Sequence, residues 1–184
     1  TGGYRTELFN SFAADNFSVD FVGSVSSGPN VVDRNNEGHR GWRIDQIAAS
    51  VDGWLSTYQP DMILLMIGTN DILQDYALST APDRLSALID QVTTRLPSSN
   101  VLVASIPPTS RSTDDQQQVI SFNSSIPGIV DSKVSQGKNV SFVDIFNQLT
   151  TSDLADRVHP TAEGYNKIAT AWHDAILPFT TIKQ

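Results

Sequence analysis

Apolar residues recur along the chain with two different spacings, one typical of helices and one typical of buried strands. The helical spacing i, i+3, i+4, i+7 is clearest over residues 44–55 and 85–96, where it predicts two amphipathic helices. Residues 61–67 and 101–106 contain the continuous apolar runs 62–67 and 101–104. Runs without alternation predict strands that are buried on both faces of a parallel sheet.

The other segments continue this alternation of helices and strands. The pattern predicts a first helix through residues 8–13, a strand at 19–23, a long loop over 24–41, a helix at 114–136, a strand at 140–144 and a closing helix that Thr161 caps. The sequence has no Gly/Ser linker, repeat or low-complexity tract. We therefore predict a single α/β domain over residues 1–184.

Composition excludes several kinds of site. The chain has 184 residues, 39% of them hydrophobic, and a chain of this size buries a core without needing a metal or a disulfide. It has no cysteine, which excludes a thiolate nucleophile, a zinc site with cysteine ligands and any disulfide. We expect no metal and no cofactor.

Charge narrows the range of partners. Twelve basic and 20 acidic residues give a net charge of −8, which repels a phosphate backbone, so we expect no nucleic-acid partner. No apolar run approaches the roughly 20 residues that a membrane helix needs, so we expect no membrane partner. N-x-Ser sequons at Asn16, Asn123 and Asn139 would accept glycans if a eukaryote secreted the chain.

A hydrolytic pair is predicted near the C-terminus, where Asp156 precedes His159 by three residues. On a turn this spacing brings both side chains to one side, so that the carboxylate accepts the Nδ1 proton and Nε2 is left as a base. The alternative is a chance pair on a solvated turn. Among the other histidines, His39 lies in the long loop and would line a crevice, whereas His173 falls on the last helix.

Two other segments carry candidate oxyanion donors. Asn70 and Asp71 follow a buried strand directly, at the end of a parallel sheet where functional groups gather, and the Asn70 amide would donate to an oxyanion. The alternative is a turn that only caps the next helix. Gly41 precedes a helix and would offer a second N–H, or would serve loop geometry alone. Its neighbour Trp42 would be either a core anchor or part of a substrate pocket.

These segments together resemble the SGNH (GDSL-type) hydrolase superfamily. Residues 68–71 look like its Asn block, Gly41 like its oxyanion glycine, and residues 156–160 like its Asp-x-x-His block. Within that superfamily, residues 3–5, 19–23, 37–42 and 159–165 look most like carbohydrate esterase family three, which contains acetyl xylan esterases. The resemblance spans nearly the whole chain.

The resemblance implies a three-layer α/β/α sandwich with a parallel, flavodoxin-like sheet, and acyl transfer through a serine ester. His159 would be the general base and then the general acid, Asp156 would orient it, and Gly41 and Asn70 would hold the oxyanion. We expect Trp42, His39 and Asp71 to contact the substrate. That substrate would be an acetylated polysaccharide or oligosaccharide, and the protein would be secreted.

The sequence departs from this family in one respect. The family's Gly-Asp-Ser block and the strand before it have no counterpart here, so we expect a chain that is N-terminally incomplete and lacks the first strand of the sheet. Ser24 and Ser26 follow the wrong strand to reach His159, and nothing places the Thr1 hydroxyl beside it. The sheet would then close over the gap, fold with a further segment, or receive a strand from another copy in a homodimer. A non-catalytic protein that binds glycans or a partner is the alternative function.

Overall fold

A parallel sheet with helices on both faces forms the fold. The computed structural model describes residues 2–30 and 32–180. In chain order the elements are α1 (Tyr4–Ala14), β1 (Val25–Ser26), β2 (Asn35–Asn36), α2 (Ile44–Tyr58), β3 (Met62–Leu65), α3 (Thr69–Leu73), α4 (Ala81–Arg95), β4 (Asn100–Ala104), α5 (Thr113–Ser135), β5 (Val140–Val143) and α6 (Ala162–Thr180). Short 3₁₀ turns lie at Leu78–Thr80, Phe146–Gln148 and Thr151–Asp153.

The sheet has the strand order β3-β4-β5, and both pairs are parallel. Successive side chains of β4 point to opposite faces: Val101 and Val103 join one core, whereas Leu102 and Ala104 join the other. Helices α2, α4 and α5 cover the first face, and α1 and α6 cover the second. These layers confirm the predicted α/β/α sandwich with a parallel sheet.

Strand β3 packs on both faces, as its continuous apolar run predicts. Ile63 and Leu65 contact the core under α2 and α4, and Met62 and Leu64 contact the core under α1 and α6. All four side chains are nevertheless only half-buried. The reason is that β3 is an edge strand, with no further strand of the described residues paired along its outer side.

The predicted strand at residues 19–23 is wrong. Val19 and Phe21 pack against the core of α1 and α6, but their segment has no strand partner in the described part of the chain. The Phe21 N–H donates instead to the Asp33 carboxylate at 2.7 Å. An extended segment becomes a strand only when a neighbour accepts and donates its backbone hydrogen bonds. Within the predicted loop 24–41, β1 and β2 form a short antiparallel pair.

Local signals at the helix ends agree with the structure. Thr161 caps α6, because its Oγ1 accepts the Gly164 N–H at 3.1 Å.

Of the sequons, Asn123 is buried inside α5, and its amide bonds both backbone groups of Ile106, so it does not accept a glycan in the folded chain. No helix among residues 2–30 and 32–180 is both long and apolar enough to cross a membrane.

Candidate active site

Asp156 and His159 form a hydrogen-bonded pair in a tight loop before α6. The Ala155 N–H donates to the His159 carbonyl at 2.8 Å, and Leu154 pairs with Pro160, which closes the loop. The His159 Nδ1 lies 2.8 Å from Asp156 Oδ2. The other carboxylate oxygen, Oδ1, accepts the His159 backbone N–H at 2.7 Å.

This geometry favours the tautomer in which Nδ1 carries the proton, because a carboxylate only accepts hydrogen bonds. The Nε2 lone pair is then available as a base. The backbone N–H of His159 and then its ring lower the pKa of Asp156 to about 2, so the carboxylate is charged at neutral pH. The side chains of His159 and Asp156 are 65% and 59% exposed, so a substrate can reach both.

The Asn70 segment lies at the carboxyl end of β3, as predicted. Gly68 makes the turn into α3 with φ of 125°, and an added Cβ would lie 2.5 Å from the Phe122 ring. Asn70 follows in the first turn of the helix, and its Nδ2 donates to the Trp42 carbonyl at 2.9 Å. An amide nitrogen carries two hydrogens, so one N–H of Asn70 positions the Trp42 loop and the other can serve an oxyanion.

Gly41 lies in a turn against the same helix. The Trp42 N–H donates to the His39 carbonyl at 3.3 Å, and Gly41 has φ of 79°, the value that a type II turn requires at its third residue. The Gln74 Nε2 donates to the Gly41 carbonyl at 2.9 Å. Two side chains that follow β3, Asn70 and Gln74, therefore hold the Gly41 turn, which places the two predicted oxyanion residues next to each other.

Asp71 does not contact a substrate in this geometry. Its side chain is fully buried, and both carboxylate oxygens are engaged: Oδ2 accepts the Ile44 N–H at 3.1 Å, and Oδ1 accepts the Arg84 guanidinium at 2.8 Å. The carboxylate thus satisfies the first N–H of α2 and complements the helix dipole there. Asp71 positions the helix that follows Gly41 and Trp42, and a substrate contact would need solvent access that it lacks.

His39 and Trp42 lie together, and with them a residue that the sequence did not single out for this site. The His39 ring stacks against both Trp42 and Trp54, with centroid distances of 4.2 and 4.8 Å, and the two tryptophan rings lie 6.1 Å from each other. Its Nε2 lies 2.7 Å from Glu37 Oε1, which also accepts the Ser24 hydroxyl at 2.5 Å. This aromatic stack, Trp42–His39–Trp54, adjoins the Gly41 turn. Trp54 was predicted only as part of the apolar stripe of α2, because its partner in the loop is distant in sequence.

A third loop contacts both halves of the site. The Thr109 hydroxyl and the Ser110 N–H donate to the Arg157 carbonyl, each at 2.9 Å, and the Arg111 guanidinium donates to the Leu73 carbonyl at 2.8 Å. The loop after β4 therefore connects α3 to the Asp156–His159 loop. No hydrogen bond among the described residues joins His159 directly to Asn70 or Gly41. No local pattern pointed to Thr109 or Gln74, because their partners lie far away in the sequence.

The serines that follow residues 19–23 are engaged elsewhere. Ser24 donates to Glu37, and Ser26 lies in β1, beyond the segment that follows α1. A further serine, Ser105, directly after β4, is buried, and its hydroxyl accepts the Phe146 N–H at 2.9 Å. Thr1 lies outside the described residues.

The family model and the solved structures that match this chain point to the same kind of protein. The model of the GDSL-like lipase/acylhydrolase family matches residues 1–167. A structure of a family 3 carbohydrate esterase from Clostridium thermocellum superposes with a TM-score of 0.87 at 38% identity, over 97% of this chain and 87% of that one.

Two curated relatives are longer. The chain is 37% identical over 133 residues to a putative endoglucanase X of Acetivibrio thermocellus, with 71% of this chain and 56% of that protein covered. It is 32% identical to a multidomain esterase of Ruminococcus flavefaciens, with 95% of this chain and 26% of that protein covered. The chain thus spans about half of the first relative and about a quarter of the second. By the extent of the family match and the shared fold, this chain belongs to the GDSL-like lipase/acylhydrolase family.

Proposed function

We propose that this chain carries the general base and the oxyanion donors of a carbohydrate esterase that removes O-acetyl groups from xylan or a related sugar. The observation that carries the proposal is the Asp156–His159 pair, with Nδ1 engaged at 2.8 Å and the ring accessible. The similarity to a family 3 carbohydrate esterase, at 38% identity over 97% of the chain, supports the sugar-ester substrate.

The nucleophile of this mechanism is a serine. The sequence contains no Gly-Asp-Ser segment, and we propose that such a segment of the complete protein supplies it. His159 Nε2 takes the serine proton as the serine oxygen attacks the acetyl carbonyl carbon. The Gly41 N–H and the second N–H of Asn70 donate to the oxyanion of the tetrahedral intermediate.

The intermediate then collapses, and the C–O bond to the sugar breaks while His159 returns the proton to the leaving hydroxyl. Water, deprotonated by the same imidazole, attacks the acetyl-serine. The ester C–O bond then breaks while His159 returns the proton to the serine oxygen, which releases acetate and free serine. Asp156 keeps its charge throughout and stabilises the imidazolium that forms in each half of the cycle.

In this proposal the aromatic stack, Trp42–His39–Trp54, binds the sugar of the substrate. Trp42 and Trp54 add a broad apolar surface beside the Gly41 turn, and sites for small ligands are typically lined by such residues with a few polar groups that set orientation. Since polysaccharides lie outside cells, we also propose that the protein is secreted.

The test is acetate release from acetylated xylan by the chain joined to its Gly-Asp-Ser segment. We expect Asp156→Asn to lower kcat by about 10³–10⁴, because the ring loses its orienting charge. Asn70→Ala should lower kcat by about 10²–10³, as the loss of one oxyanion donor does. Asp114→Asn, an exposed change in the first turn of α5, is the matched control and should leave kcat unchanged. A folded, serine-bearing protein that releases no acetate would contradict the proposal.

The aromatic stack favours one second candidate, a protein that binds glycans without cleaving them. Calorimetry of this chain with acetylated and plain xylo-oligosaccharides tests it. Binding of both, weakened by Trp42→Ala, together with inertness of the serine-bearing protein, would support this candidate over the esterase. Heat from neither oligosaccharide would exclude it.

A further inference from the structure

Arg157, between the two residues of the pair, has a backbone conformation that favours glycine. Its φ is 74°, in the left-handed region that residues with a Cβ seldom adopt. Such a conformation persists when surrounding contacts impose it. Within the loop, the Asp156 carboxylate accepts the Val158 N–H at 3.2 Å and the His159 N–H at 2.7 Å. These short-range bonds lie on an exposed loop, where water competes for the same groups.

The long-range hydrogen bonds that described residues make to this loop both end on the Arg157 carbonyl. The Ser110 N–H and the Thr109 hydroxyl each donate to it at 2.9 Å. Thr109 is itself buried, and its position is set on two sides. Its N–H donates to the Gln116 side chain at 2.8 Å, and its hydroxyl oxygen accepts the Arg111 N–H at 3.2 Å.

A peptide unit is planar and trans, so the Arg157 C=O and the Val158 N–H point in opposite directions in one plane. Two donors on the carbonyl therefore fix the direction of the next N–H, which points at the Asp156 carboxylate. The same carboxylate orients the His159 ring. The Ser110 donor belongs to the backbone, which leaves the Thr109 hydroxyl as the side-chain contribution to this arrangement.

We propose that Thr109 is a positioning residue, which holds Asp156 and His159 in their hydrogen-bonded geometry through the carbonyl of Arg157. Its role in turnover rests on the proposed esterase function, but its role in the geometry does not. Thr109 does not touch the reacting atoms. Its buried hydroxyl is held in the loop between β4 and α5. The geometry of an exposed site therefore depends on a buried loop that follows the central strand of the sheet.

Amide hydrogen exchange of this chain, followed by NMR, tests the geometry at neutral pH. Thr109→Val removes the hydroxyl and keeps the side-chain shape. We expect it to speed exchange of the Val158 and His159 amides by about 10-fold relative to the Leu102 amide in the central strand β4, because the loop opens locally. Thr109→Ser keeps the hydroxyl and should stay within about 2-fold of the parent.

Thr93→Val is the matched control. Thr93 is also buried, but its hydroxyl bonds the Ile89 carbonyl within α4, so this variant should leave the two loop amides unchanged. The proposal is overturned if Thr109→Val leaves both loop amides as slow as in the parent, or if Thr109→Ser accelerates them equally. Should Thr109→Val not fold, a resolved Thr109 hydroxyl proton with an NOE to the Val158 Hα, which lies on the same side of the peptide as the Arg157 oxygen, supports the contact in the unsubstituted chain. Absence of that NOE overturns it.

In the serine-bearing protein, Thr109→Val should lower kcat about 10-fold with KM unchanged, since positioning affects the transition state rather than substrate binding. Thr109→Ser should restore kcat. If the unsubstituted protein releases no acetate, the esterase proposal fails, while the exchange result still decides the role of Thr109.

Discussion

The ion pair between Asp71 and Arg84 offers a sharp test of how the start of α2, next to Gly41 and Trp42, is held in place. The change is Asp71→Asn, which keeps the shape of the side chain and removes its charge. The parent carboxylate is fully buried and accepts from both the Ile44 N–H, at 3.1 Å, and the Arg84 guanidinium, at 2.8 Å. An asparagine has one acceptor oxygen, so its NH₂ group must face one of these two donors.

The magnitude follows from the burial of the two partners. Removing one partner of a buried ion pair costs about 3–5 kcal/mol, because the other charge is left without compensation. Arg84 is 20% exposed, so water can solvate part of its charge. We therefore expect the lower end, a loss of about 3 kcal/mol in the free energy of unfolding. For a domain of this size that corresponds to a drop in Tm of roughly 6–12 °C.

Urea unfolding followed by circular dichroism measures this loss, and an unchanged m-value would show that the variant unfolds from the same compact state. Arg84→Met should lower the free energy of unfolding by at least as much, since it leaves the fully buried Asp71 carboxylate without its positive partner. Asp45→Asn is the matched control. Asp45 pairs with Arg43 at 3.0 Å but is 32% exposed, so its loss should cost less than about 1 kcal/mol. A cost below about 1 kcal/mol for Asp71→Asn would refute the reasoning, because Asp71 would then contribute no more than a surface charge.

Two further predictions concern single positions. We expect Gly68→Ala to lower the free energy of unfolding by about 2–5 kcal/mol, since it combines a disfavoured φ of 125° with a Cβ 2.5 Å from the buried Phe122 ring. Gly53→Ala, at an open position on α2, should leave this free energy unchanged or raise it. Equal urea midpoints for the two variants would contradict this account. The His159 backbone N–H and ring lower the pKa of Asp156 to about 2, whereas the unfolded value is about 3.9. The Asp156 carboxylate therefore stabilises the folded chain fully above pH 4, and this stabilisation is lost as the pH falls through 2. Asp156→Asn should therefore be less stable than the parent at pH 5, with a smaller difference at pH 2; a difference that does not change with pH would contradict the assignment.

Local patterns in the sequence predicted most of the helices and strands. The apolar stripes of α2 and α4 and the continuous apolar runs of β3 and β4 are short-range signals, and the structure follows them within a few residues. The segment at 19–23 fails for a physical reason. Its residues have the composition of a strand, but a strand is defined by a hydrogen-bonded neighbour, and composition does not reveal whether one is present.

In the candidate site, too, the sequence predicted the contact between near neighbours but not the contacts between distant segments. Asp156 and His159 lie three residues apart, so sequence spacing alone predicted their hydrogen bond, and the structure shows it at 2.8 Å. Asp71 was expected at the substrate from its place in the Asn70 segment. Its burial depends on Arg84 and on the first N–H of α2, partners 13 and 27 residues away.

The sequence by itself determined the elements with one clear period, the class of fold and the hydrogen-bonded pair Asp156–His159, because each of these depends on neighbours within a turn or two of the chain. The tertiary structure alone decided which side chains support that pair. Gln74 on the Gly41 turn, Trp54 against His39, and Thr109 on the Arg157 carbonyl are contacts between segments 33, 15 and 48 residues apart. Such contacts arise where the ends of parallel strands converge, and no local period records them.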